Sequence, residues 1–149
     1  MNSKEVFEKY LQTLFQDLSR IDSFFELSIC IDNYRATRLE ELNIAPSFFA
    51  LSMDSFFYST VVSLARYFDS YKILKRSDRN LIRFINFVEQ NLNIFPSDEN
   101  TLKKFNIIHP VNLELIKEHK KWMQEVTPVL EKLFTWRDKH FAHYDREHF

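Results

Sequence analysis

A chain of 149 residues, 45% hydrophobic and 28% charged, suits one compact domain, and residues 1–149 are read as a single unit. It has no glycine and one cysteine, Cys30, which excludes glycine-built phosphate loops, dinucleotide fingerprints, an internal disulfide and a zinc site of several thiolates. A net charge of −1 excludes a generally basic nucleic-acid binder, and the charged first nine residues and a longest uncharged stretch of twelve (Leu42 to Met53) predict no signal peptide, no membrane span and a reducing, cytoplasmic setting.

Apolar spacing is helical nearly throughout. Phe7, Leu11, Leu14, Leu18, Ile21 and Phe25 step by four and three, which predicts an amphipathic helix from about Ser3 to about Cys30, with Ser3 as its N-cap. Asp32 to Leu42 is polar but rich in helix formers and reads as a continuation or as a separate short helix. Pro46 fits the first turn of the next helix. That helix runs into LARYFD (Leu64 to Asp69), is apolar nearly all round and should be central and buried. Ser77 or Asp78 can cap a third helix carrying Leu81, Ile82, Ile85, Phe87 and Val88, which should stop before Pro96.

Ser97 to His109 reads equally as a polar linker or as a short helix around Leu102 to Phe105. From Pro110 a long helix carries Leu113, Ile116, Met123, Val126, Leu130, Leu133 and Phe134 as far as Trp136, with a kink or a break expected at Pro128. No stretch alternates as a strand. The predicted fold class is all-α, a bundle of four or five helices.

The sixteen Phe, six Tyr and two Trp include the adjacent pairs Phe24-Phe25, Phe48-Phe49 and Phe56-Phe57. Neighbouring helix positions point about 100° apart, so both members cannot share one narrow stripe. Part of this surface is expected to meet a second copy of the chain, the alternative being one broad internal face. Charge is also uneven, because residues 66 to 83 hold six basic and two acidic groups. Arg66, Lys72, Lys75, Arg76, Arg79 and Arg83 are candidate contacts to a phosphate backbone, against the plainer reading of a solvated helix end and loop.

The end of the chain, Trp136-Arg137-Asp138-Lys139-His140-Phe141-Ala142-His143-Tyr144-Asp145, carries the densest chemistry. His140 and His143, with Asp145 and His148, suggest a metal site only weakly, since no third ligand is placed. A plain helix end, with Arg137 and Lys139 complementing the dipole, is the commonest outcome for such residues. The third reading is metal-free cleavage of a phosphodiester. It needs a group near neutral pKa to move the 2'-hydroxyl proton and a fixed cation for charge on the phosphoryl oxygens, and His143 and Arg137 supply these. Six residues of a straight α-helix turn about 240° and rise about 9 Å. The pair therefore requires either a helix end between its members or two chains.

The segment RDKHFAH resembles the motif of the HEPN superfamily, in which an Arg is followed directly by a polar residue and, after four to six residues, by a His. Arg137, Asp138 and His143 match those positions with five residues between Arg and His. Together with LARYFD, the pattern is similar to the AbiU-type abortive-infection branch. The resemblance implies a helical bundle that dimerises so that two motifs face each other across a cleft, forming a metal-independent endoribonuclease of phage defence or toxin-antitoxin systems. Arg137 would bind the scissile phosphate, His143 would act as acid or base and Asp138 would orient one of them. The expected products are a 2',3'-cyclic phosphate and a 5'-hydroxyl. No cofactor or metal is expected, and the partners are RNA, a second copy and an antitoxin or nucleotidyltransferase-type protein. His140 and Tyr144 stand as neighbours of the site and candidate RNA contacts. Some superfamily members are non-catalytic binding or assembly modules, which is the alternative function. The chain ends six residues after His143, so the family's final helix is expected to be missing.

Overall fold

The computed structural model describes residues 2–68 and 80–142, with side chains described as far as Lys139. These residues form an all-α domain. Its principal helices are α1 (Ser3–Tyr34), α3 (Pro46–Phe68), α4 (Leu81–Gln90) and α6 (Leu113–Trp136), joined by the short α2 (Leu39–Leu42) and α5 (Glu99–Lys104). A 3-10 turn, Leu92–Ile94, follows α4, and a π-helical turn, Arg137–Ala142, continues α6.

Short polar side chains start the helices. Asn2, not Ser3, caps α1: its Oδ1 accepts from the Glu5 N–H at 2.9 Å while Glu5 Oε2 accepts from the Asn2 N–H at 3.1 Å, a reciprocal capping box. Asn80, Asp98 and Asn112 cap α4, α5 and α6 in the same i+3 manner. The cap of α4 is therefore Asn80, nearer to the apolar run than the predicted Ser77 or Asp78, which lie outside the described residues. Asn106, with φ 51°, takes the left-handed position that ends α5. The Ile107 N–H donates to the Leu102 carbonyl and the Asn106 N–H to the Lys103 carbonyl, so a chain without glycine closes this helix on asparagine. Pro128 does not break α6, which runs on to Trp136. The ring removes the hydrogen bond that the Gln124 carbonyl would accept, and Trp122 before it and Trp136 after it both pack on rings of α3.

Between Asp32 and Leu42 both readings hold in part, because α1 extends to Tyr34 and α2 is separate. Helices α1 and α3 are antiparallel, linked by Arg66 Nη2 to Asp17 Oδ1 at 3.0 Å and by the rings of Phe24 and Phe56 at 6.1 Å. Antiparallel to α3 in turn, α6 brings Trp136 to Phe57 (6.0 Å) and Trp122 to Phe68 (6.5 Å). Helix α4 lies across the early half of α1, where Phe84 packs on Phe7 and Tyr10, and an ion pair from Lys120 to Glu89 ties it to α6.

The inward face of α1 is Phe7, Tyr10, Leu14, Asp17, Ile21 and Phe24. Of the predicted stripe, Phe7 is half-buried and Leu14 and Ile21 are buried, but Leu11, Leu18 and Phe25 are exposed. The stripe that faces inward instead carries Tyr10 and Phe24, whose rings pack on Phe84 and Phe56, and Asp17, which pairs with Arg66. In LARYFD, Leu64, Tyr67 and Phe68 join the cluster around Leu14 and Ile21, Ala65 is fully buried, and Arg66 is exposed and paired with Asp17. Burial, followed by the nearby Asp17 charge, raises the Tyr67 pKa above its ordinary value. Ala65→Leu is expected to overpack this contact and cost about 1–3 kcal/mol, read as a lower urea midpoint at unchanged m.

Helix α3 is long and apolar enough to cross a membrane by length and composition, and the expectation that it is buried holds only in its second half, where Thr60, Val61, Ala65 and Tyr67 are buried, while Phe48, Leu51, Phe57 and Tyr58 are exposed. Here it packs against α1, α4 and α6.

Candidate functional site

The site grows from the end of α6. Trp136 is held edge-to-face on Phe57 of α3, which fixes the level at which the next residue leaves the helix. That residue is Arg137. Its backbone N–H is shared between the Leu133 and Phe134 carbonyls, and from there the backbone widens into the i→i+5 pattern of a π-helix through Ala142. The rotation expected of a straight α-helix between Arg137 and His143 therefore does not apply to Arg137–Ala142.

The Arg137 guanidinium is confined from two directions. Asp138 Oδ1 accepts from Nε at 2.7 Å, and the Cζ atom stands 5.4 Å from the centroid of the Phe134 ring, one helical turn back. Its side chain is 23% exposed, against 55% for Asp138, so the cation is partly withdrawn from water while the carboxylate faces it. A guanidinium held over a ring and bonded at Nε has fewer orientations left, and such preorganisation suits an arginine that binds an anion. Sequence reasoning missed Phe134 as this platform, although its i−3 position was a readable signal. It also missed the π-helical turn, for which the sequence held no signal.

Of the other predicted residues, Arg66 is paired with Asp17 and lies nine residues of α3 beyond Phe57, about 13 Å from the level of Arg137. Arg83 is half-buried in the first turn of α4. The structure does not bring Arg66 to Arg137 within one chain. Lys72, Lys75, Arg76, Arg79, His143 and Tyr144 lie outside the described residues, as does the side chain of His140. Among the described residues no group of three His, Cys, Asp or Glu side chains is placed to hold a metal ion.

Residues 4–149 match the HEPN family AbiU2. The chain belongs to this family. No curated protein and no solved structure matches it. Family membership covers both LARYFD and the Arg137 motif, and it places the chain among abortive-infection HEPN domains.

Proposed function

We propose that this AbiU2 HEPN domain is a metal-independent endoribonuclease, acting in the cytoplasm as a phage-defence effector or toxin. The observation that carries the reading is the confinement of Arg137 by Asp138 and Phe134 at the first position of the family motif. In this reading Arg137 binds the non-bridging oxygens of the scissile phosphate and neutralises the charge that grows there. Asp138 acts as the orienting residue. His143 moves the proton: the 2'-hydroxyl oxygen attacks phosphorus as its proton is taken, the bond to the 5'-oxygen breaks, and that oxygen leaves protonated. His140 and Tyr144 flank this centre, and Lys72, Lys75, Arg76, Arg79 and Arg83 supply a basic approach for the RNA strand.

The active unit is a homodimer in which Arg137 of one chain works with His143 of the other. Exposed apolar side chains support a second copy. Leu11, Phe15 and Leu18 lie on the outer surface of α1, Phe15 being 68% exposed, and Leu51 of α3 is 66% exposed. In each adjacent Phe pair one ring is half-buried (Phe24, Phe49, Phe56) and its neighbour is exposed (Phe25, Phe48, Phe57). An antitoxin or nucleotidyltransferase-type protein is the regulatory partner in this reading.

Incubation of the purified protein with total RNA and tRNA in EDTA is the test. Fragments ending in 2',3'-cyclic phosphate and 5'-hydroxyl are expected at an unchanged rate with and without the chelator. Intact RNA from a folded protein would instead assign the chain to the non-catalytic binding modules of the superfamily.

A further inference from the structure

Between α4 and α6 runs a groove of ≈ 440 Å³, within the usual size range of small-ligand sites. We propose that it receives an unpaired nucleobase of the RNA whose phosphate is held at Arg137, a proposal that rests on the phosphate role given to Arg137 above. Phe134 supplies the connection, since it lines the groove and also carries the Arg137 guanidinium on its ring. A nucleotide bonded to Arg137 thus has the groove as its immediate neighbour.

The lining suits a base more than other occupants. Phe68, Ile85, Met123 and Phe134 offer flat or apolar surface for its faces. Two amides, Asn86 from α4 and Gln124 from α6, enter the same space, and neither is hydrogen-bonded within the described residues. Each amide presents a donor beside an acceptor, the pattern that pairs with a base edge. Pro128 has no N–H, so the Gln124 backbone carbonyl, on the same helix, lacks its usual helical donor. An acyl chain or an apolar peptide side chain would bury these groups unsatisfied. The ammonium of Lys120 is engaged by Glu89 at 2.6 Å, which disfavours a second phosphate.

The test is binding of the four nucleoside 3'-monophosphates, by calorimetry, to the full chain and to the Asn86→Leu, Gln124→Leu and Arg137→Ala variants, each checked for native helicity. One base is expected to bind at least about fivefold more tightly than the others, the lower end for a bidentate pair. Both leucine variants should level the four affinities, whereas Arg137→Ala should weaken all four and keep their order. Equal affinities for wild type, binding of none, or a preference that survives both leucine changes would each overturn the assignment. Base preference in a protein that cleaves no RNA would support the groove and remove the nuclease reading, and cleavage with four equal affinities would do the reverse.

Discussion

Replacing Arg137 with alanine is expected to lower RNA cleavage by at least about 10²-fold, the loss typical when one preorganised donor to a developing oxyanion is removed. The melting temperature and the oligomeric state should stay close to wild type. Arg137 sits past the end of α6, where its bonding partner Asp138 is mostly exposed, so truncation leaves no buried charge behind. Lysine is the informative second variant. It keeps the charge but has neither the guanidinium that lies over Phe134 nor the Nε bond to Asp138, and Arg137→Lys should recover little of the lost rate. Cleavage within threefold of wild type for Arg137→Ala, from a sample shown to be folded, would remove Arg137 from the chemistry.

Mixing two inactive proteins should restore activity. If each centre takes Arg137 from one chain and His143 from the other, an Arg137→Ala chain paired with a His143→Ala chain makes one centre lacking both groups and one centre with both. Random exchange then puts half of the dimers in the mixed form with one working centre of two, giving roughly a quarter of wild-type activity. Centres built within one chain would give none. Leu18→Asp, at an exposed position of α1, tests the surface itself: a change from dimer to monomer in light scattering, with loss of cleavage, is expected. A variant that is still dimeric and active would place the second copy elsewhere.

The sequence made the helices legible because apolar period is a local property, whereas the caps fell one to three residues from the predicted Ser3 and Ser77 or Asp78, on Asn2 and Asn80. The start of α3 at Pro46 and the end of α6 at Trp136 follow from residues within one turn of each boundary, whereas the start of α6 at Leu113 and its passage through Pro128 do not. Which of two neighbouring stripes of α1 faces inward was not legible. The stripes through Leu11 and through Tyr10 differ by one position, and the one that faces inward meets partners far along the chain: Tyr10 meets Phe84, Phe24 meets Phe56 and Asp17 meets Arg66. The motif residues were readable as types. Their support was not, because the ring under the guanidinium and the contact of Trp136 with Phe57 depend on how α6 lies against α3.

The π-helical turn at Arg137–Ala142 bears on the spacing of the motif itself. A backbone that closes on the fifth residue rather than the fourth accommodates one extra residue without disturbing what precedes it, and here everything up to Arg137 is anchored by α3. In this chain all five residues between Arg137 and His143 belong to that turn. A one-residue deletion within it is expected to return the segment to α-helical closure while Arg137 stays where the contact of Trp136 with Phe57 holds it.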